Sequence, residues 1–569
     1  MLLVMEDLEH RRAALRAAIA DEWEYELRES PELATTIGDY RYNDRWSDVS
    51  LEHVEQQKRD TAGWLARFEA IDIASFPEQE SLDHRLMVRN LRESLEGLEF
   101  KDYEMPVDQM DGLHLMFAQF VGLLPFATAE HYEQYLGRLQ TLPQVLEQVT
   151  DVLRQGERDG LMPPRFLLDK TVEQCRTIAG PAGEGNAFGR PVVPMPEDIP
   201  PADRERLRTG ILAAVDTLVR PAYQALADFI ARDYAPKGRT EMGVWALPDG
   251  ERRYRYAVRR FTTTDLNPEE IHELGLQEVA RFEAEQAGIC ERLGFTGLHA
   301  CRTALASDPA LYATSRQMLL DRHAQYIGHM QAKLPDLFGL LPAIPLEVRS
   351  VEDYREKEAA AAEYHPGTPD GSRPGIVYVN TGDHEKRSLV GIEAVAYHEG
   401  LPGHHMQTSI AQRLPELPPF RQHGYFGAYI EGWALYSERL GKDVGFYEDP
   451  HSDFGRVSNE LLRAVRLVLD TGVHHKRWSR EQMVEYFRAH SAEDEPDLQA
   501  EVDRYIVLPG QALSYKLGEL EITRLRERAR ATLGPRFDIR AFHDKLLDGG
   551  ALPLDVLAER IGSWMEGYR

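Results

Sequence analysis

Long amphipathic runs constrain this chain more than any other feature. "DLEHRRAALRAAIADEWEYELRE", "EHYEQYLGRLQTLPQVLEQVTDVLRQ" and "DRERLRTGILAAVDTLVRPAYQALADFIARDY" carry good helix formers with apolar residues at a period near 3.6. "LNPEEIHELGLQEVARFEAEQ" adds a start signal, with Asn267 as N-cap, Pro268 in the first turn and Glu270 completing a capping box; Ile271, Leu274 and Phe282 then share a face. Strand signals are few: "RRYRYAVRRFTT" (252–263) alternates, and "PGIVYVNT" (374–381) is short, β-branched and bounded by turn residues. The expected fold is mainly α, with a small β-sheet near the functional residues. No repeat of 20–50 residues appears, which excludes a solenoid. The Pro/Gly-rich stretch 179–201 is the best internal linker or lid, between an N-terminal helical part (1–180) and the rest (181–569); similar helical texture on both sides predicts one continuous body.

Composition sets the boundary conditions. The 569 residues are 43% hydrophobic and 28% charged, as in folded globular chains. A net charge of −28 leaves no basic surface for a phosphate backbone and disfavours anionic membranes, so neither nucleic acid nor membrane is an expected partner. The three cysteines (Cys175, Cys290, Cys301) are scattered without a CxxC pair, which argues for a reducing compartment and against a disulfide framework or a thiolate zinc site. "MLLVMEDLEHRR" does not read as a signal peptide, and "LHLMFAQFVGLLPFA" is too short and too interrupted to span a bilayer. A cytoplasmic location is expected.

The chemistry concentrates in "AYHEGLPGHHMQ" (396–407). A hydrolytic zinc takes three protein ligands and keeps one position for water, and the usual spelling is H-E-x-x-H on one helix. Here His398 and Glu399 open the motif, but the fourth residue after His398 is Pro402. The preceding "SLVGIEAVAYHE" reads as a helix on which Glu399 shares a face with Ile392 and Val395, and a carboxylate among aliphatics is costly without a metal or partner. Pro402 removes an amide hydrogen and clashes with the His398 carbonyl, so the helix should bulge or kink. Unbroken, it would return His405 to the His398 face about 10 Å further on; bulged, it would bring His404 to the usual ligand place. His404 is the favoured second ligand and His405 the alternative.

A carboxylate ligand should come from "GYFGAYIEGWALYSERLGK" (424–442). Tyr429, Trp433, Tyr436 and Leu440 form a packing stripe, while Glu431 and Glu438 lie on another face. Glu431, 27 residues after His404, is the expected third ligand, and Glu438 either hydrogen-bonds a ligand histidine or sits on the surface.

The words "PGTPDGSRPGIVYVNT", "AYHEGLPGHHMQ", "YIEGWALYSERLG", "LVLDTGVHHKRWSREQ", "RYIVLPGQALSYKLGELEI" and "FHDKLLDGGALPLDVL" resemble, in order, those of the bacterial family known as domain of unknown function 885. The resemblance runs from about residue 30 to the C-terminus. It implies a gluzincin-like, mostly helical zinc metallopeptidase with a deep cleft, similar to angiotensin-converting enzyme and the thimet-type oligopeptidases. The extra residues between the two histidines depart from those peptidases and leave the second ligand open. In such enzymes substrate lies along an edge strand, a part that "GIVYVN" (375–380) would play, and phenols or a histidine stabilise the oxyanion. Tyr515 is the first choice for that role and Tyr505 the second. Arg504 or Lys516 would hold a substrate carboxylate, and His474 would line the cleft.

The implied reaction is hydrolysis of a short peptide or other small amide: one zinc ion on His398, His404 and Glu431, Glu399 as general base, Tyr515 beside the oxyanion. Two other readings remain: a metal-dependent hydrolase or lyase of a non-peptide carboxylated metabolite, and a non-catalytic helical binding protein. No G-x-S-x-G elbow supports a serine hydrolase. Oligomeric state is not legible.

Overall fold

The four runs at helical period all fold as helices. In the computed structural model they occupy Leu2–Glu29, Ala129–Asp159, a continuous segment from Pro201 to Tyr234 with two π-helical turns, and Pro268–Arg292, here α1. The structure describes residues 2–567 apart from 352–355, 357, 358, 372, 416 and 492–494. α1 starts on the expected capping box: Asn267 Oδ1 accepts from the Glu270 amide and Glu270 Oε2 from the Asn267 amide, both at 3.0 Å.

The chain forms two compact units, residues 1–242 with 246–250, and 243–245 with 251–569. In the first, Tyr135, Leu139, Leu142 and Val149 of the 129–159 helix pack against Leu168 and Val172 and against Leu207, Ile211 and Tyr223. The stretch 179–201 is no linker. Phe188, Val192 and Ile199 are buried in this core, Asn186 Nδ2 donates to the Ile178 and Pro181 carbonyls, and the Tyr135 hydroxyl donates to the Phe188 carbonyl. Its Pro and Gly residues shape a loop held by apolar burial and side-chain hydrogen bonds.

The second unit carries every candidate functional residue. Residues 252–263, expected as a strand, are helical (Gly250–Thr262). The buried residues there include Tyr254, Ala257 and Val258, at the i, i+3, i+4 spacing of a helix face, with Arg253, Tyr256 and Thr262 beside them, and this packing overrides the alternation of Arg with aromatic residues. The described sheet has three strands, β1 (Leu346–Ser350), β2 (Ala362–His365) and β3 (Gly375–Val379), in the order β1-β3-β2, with β1 parallel and β2 antiparallel to β3. The strand expected at an edge is therefore central, hydrogen-bonded on both sides; the edges are β1 and β2. Cys290, at the end of α1, is disulfide-bonded to Cys301, eleven residues on. The sequence reading that no pair forms is corrected: the turn after α1 brings the two buried cysteines together.

Candidate metal centre

Helix α2 (Ile392–Glu399) ends where Gly400 departs from helical geometry, and α3 (His404–Ala411) begins four residues later. The connection contains a cis Leu401–Pro402 peptide. It is a clean break rather than a bulge. Gly403 makes it possible, because a Cβ there would lie 1.9 Å from the His398 carbonyl oxygen. The Gly403 amide donates to the Tyr397 carbonyl at 2.9 Å, and Trp433 Nε1 donates to the Pro402 carbonyl at 2.8 Å. The packing stripe of the next helix, α4 (Gly427–Asp443), thus fixes the turn between the two histidines.

The outcome is a convergent set. The His398 and His404 rings stand perpendicular with centroids 4.8 Å apart. Glu431 Oε2 lies 3.6 Å from His398 Nε2 and 3.5 Å from His404 Nε2, and one ligand atom from each residue falls within 4.8 Å of the other two. A tetrahedral zinc with bonds near 2.0–2.1 Å would separate its ligand atoms by about 3.4 Å, close to the two imidazole–carboxylate distances here. Glu438, seven residues after Glu431 and thus on the same face of α4, is wholly buried and takes the other ring nitrogen: Oε1 is 2.8 Å from His398 Nδ1. That contact leaves His398 Nε2 for the cluster. The other Glu438 oxygen, Oε2, is buried without a hydrogen-bond partner, and Arg463 Nη2 lies 3.7 Å from Oε1.

Electrostatics mark the same spot as one that favours positive charge. Burial alone would lower His398, but Glu431 and Glu438 more than offset it and push the imidazole up to about 10. Burial would raise Glu431, yet the charges of His404 and His398 hold its carboxyl far below the usual carboxylate range. Burial raises the half-buried Glu399 above its ordinary value, against the pull of His398, His404 and Arg463. A carboxyl lifted this way is a better proton acceptor.

His405 stands outside the cluster. As the next residue of α3 it is turned about 100° from His404. Its Nε2 donates to the Ile344 carbonyl at 3.0 Å, its Nδ1 lies 3.1 Å from the Tyr364 hydroxyl of β2, and burial pushes it down to about 4. The alternative ligand is therefore corrected to a packed neutral histidine.

Three further expectations are corrected by burial. Lys516 is fully enclosed, with Nζ 2.7 Å from Glu519, 3.2 Å from Glu278 and 3.7 Å from Glu460, so it is not free to meet a substrate. The Tyr505 hydroxyl donates to Glu501 and accepts from Arg466 Nε at 3.1 Å, wholly buried. His474 accepts from the Val244 amide at 3.1 Å and donates to the Tyr505 carbonyl at 2.8 Å, a structural pin.

Tyr515 and Arg504 are differently placed. Tyr515 opens α7 (Ser514–Leu533), which packs on α4 so closely that a Cβ on Gly518 would lie 1.8 Å from the Ala428 carbonyl oxygen. Between them in sequence come α5 (Pro450–His474) and α6 (Glu495–Val507). Arg504 Nη2 of α6 donates to the Tyr515 hydroxyl at 3.2 Å, and Arg466 of α5 lies over the Tyr515 ring at 4.6 Å.

The sequence reading missed Tyr425, Arg463, Arg466 and Glu393. Tyr425 is 60% exposed and lies within electrostatic reach of Glu431, Tyr515 and Arg504. Glu393 is buried, accepting from the Tyr397 hydroxyl at 3.0 Å, the Tyr447 amide at 3.1 Å and Ser452. Arg463 and Arg466 were the legible ones: two arginines three apart inside the apolar run 461–469 must find buried partners.

Comparison with known proteins bears out the family to which the sequence resemblance points. The chain belongs to the family described as "Bacterial protein of unknown function (DUF885)", which matches residues 31–561. No curated protein matches it. A solved structure from Colwellia psychrerythraea, of a candidate lipoprotein, is 29% identical, covers 98% of this chain and 99% of its own, and superposes with a TM-score of 0.93. Another, of a candidate lipoprotein of unknown function from Shewanella oneidensis, is 16% identical with a TM-score of 0.71 over 96% of this chain and 98% of its own. The expectation of a cytoplasmic location does not stand. Both similar structures are of candidate lipoproteins, and the Cys290–Cys301 pair is of a kind that persists in oxidising compartments. Among the described residues no helix is long and apolar enough to cross a membrane.

Proposed function

We propose that this chain is a zinc-dependent hydrolase of amide bonds, acting on short peptides or similarly small amides. The observation that carries the reading is the convergence of His398 Nε2, His404 Nε2 and Glu431 Oε2, with Glu438 holding the far side of His398. Two imidazoles and a carboxylate suit zinc better than a hard cation, which prefers oxygen ligands throughout. Held by His398, His404 and Glu431, a zinc ion would supply an acidified water and polarise a substrate carbonyl.

The chain's own residues do the remainder. Glu399, directly after His398 and raised by burial, accepts the proton of the attacking water and returns it to the leaving amine. Tyr515, oriented by Arg504 at 3.2 Å, donates its hydroxyl hydrogen to the oxygen on which negative charge develops. Glu438 fixes the ring and tautomer of His398.

The test separates base from ligand. Glu399→Gln is expected to lower the turnover of a hydrolysed peptide by about 10²–10⁴-fold while leaving one zinc per chain. Full activity in that variant contradicts the assignment.

A further inference from the structure

Beside the candidate metal cluster lies a cationic pole of three arginines that two acids, Glu501 and Glu438, only partly neutralise. Arg463, Arg466 and Arg504 all bear on Tyr515: two guanidinium carbons lie over its ring at 5.9 and 4.6 Å, and the third residue donates to its hydroxyl. The acids facing them are few. Glu501 pairs with Arg466 at 2.9 Å, accepts from Tyr505, and stands only 3.5 Å from Arg504. Glu438 is the acid nearest Arg463, at 3.7 Å, through the same oxygen already bonded to His398 at 2.8 Å. The short bonds of Arg504 go to neutral groups, Gln511 Oε1 at 2.9 Å and the Tyr515 hydroxyl. Both Arg463 and Arg504 also keep a buried Nε with no hydrogen-bond partner. Partly enclosed guanidiniums with this little compensation favour an incoming anion.

The pole faces the reaction centre. Arg463 Nη2 lies 3.7 Å from Glu438 Oε1, which is itself 2.8 Å from His398 Nδ1, and Arg504 is joined to Arg463 through Tyr515, whose ring lies under Arg463 and whose hydroxyl accepts from Arg504. Cations and candidate ligands therefore border one region. In a chain of net charge −28 that local sign reversal would draw in a substrate bearing negative charge.

We infer that Arg504, assisted by Arg463, binds a free carboxylate on the substrate, so that the enzyme acts on amides ending in a carboxyl group: small peptides or acylated amino acids cut near their carboxyl end. This rests on the hydrolase reading above and adds the substrate class. Arg466, saturated by Glu501 and Tyr505, holds the Tyr515 ring in place.

The experiment compares acetyl-dipeptides carrying a free carboxylate with the same dipeptides as carboxamides. Binding to the metal-free protein is measured by calorimetry and hydrolysis with the zinc-loaded protein. The free acids are expected to be favoured roughly ten- to hundredfold in both. Arg504→Met should bring the acid-to-amide ratio close to one, and Arg463→Met should lower it less. Arg504→Lys, which keeps the charge without the planar fork, should restore part of the preference and serves if the methionine variant does not fold. Equal handling of acid and amide by the unaltered protein overturns the inference and leaves amide hydrolysis standing. Preference for the acid in binding, with no hydrolysis of either, keeps the carboxylate site and removes the hydrolase reading.

Discussion

Around Lys516 buried charges are matched by permanent partners. Its ammonium faces Glu519, Glu278 and Glu460, Arg281 pairs with Glu278 at 2.6 Å, and Arg456 bridges Glu460, Asp453 and Glu285 at 2.5–3.0 Å. Around His398 the acids Glu431, Glu438 and Glu399 meet two imidazoles, whose positive charge is optional, and a single fixed cation, Arg463, 3.7 Å from Glu438, while three donor atoms face one another. The first region is complete as it stands. The second is stabilised by whatever positive charge occupies it, a proton or a metal ion. Two clusters of similar burial and composition thus differ in whether the compensating charge is built into the chain, and that difference separates a structural network from a binding site.

Removing the built-in charge should cost stability. Lys516→Met leaves Glu519, Glu278 and Glu460 short of a cation and is expected to destabilise the fold by about 3–5 kcal/mol in denaturant unfolding, with the zinc content of folded protein retained. If Lys516→Met proved as stable as the parent and instead lost zinc, the contrast between the clusters would fail. Glu438→Gln should act the other way, weakening zinc roughly 10–100-fold in a chelator competition with a smaller effect on unfolding.

The smallest effect is a pH dependence. His398 has a folded value of about 10 against an ordinary 6.5, so its protonated form stabilises the metal-free protein fully below pH 6.5 and progressively less as pH rises toward 10. Zinc needs the neutral ring, so its affinity should climb over the same window, by about tenfold per pH unit for each proton displaced. Proton release measured on zinc addition between pH 7 and 9 checks this; none released would contradict it.

Much of this contrast was legible in the sequence, and the limits have physical causes. Helical periodicity located the four long helical runs but not Gly250–Thr262, and Pro402 with its glycines marked the break that separates His398 from His404. Glu431 and Glu438 were legible because seven residues return to one helix face. Periodicity cannot show a third dimension, however. A β-branched run reveals β3 but not its two neighbours, and a sequence separation of eleven between Cys290 and Cys301 does not reveal a Cα separation of 5.9 Å. Lys516, Tyr505 and His474 stand in words shared with the family, and those words hold packed residues beside functional ones. Only burial and partners tell Lys516 from Arg504.

Metal stoichiometry in a pair of adjacent variants tests the site most directly. Purified protein loaded with zinc and freed of excess should carry one ion per chain. His405→Ala should keep that ion even if its loss from the Tyr364–Ile344 contacts lowers stability, while His404→Ala should lose it or bind it at least a hundredfold more weakly (an estimate for removing one of three ligands). Undiminished zinc in His404→Ala, or loss of zinc only in His405→Ala, would contradict the account.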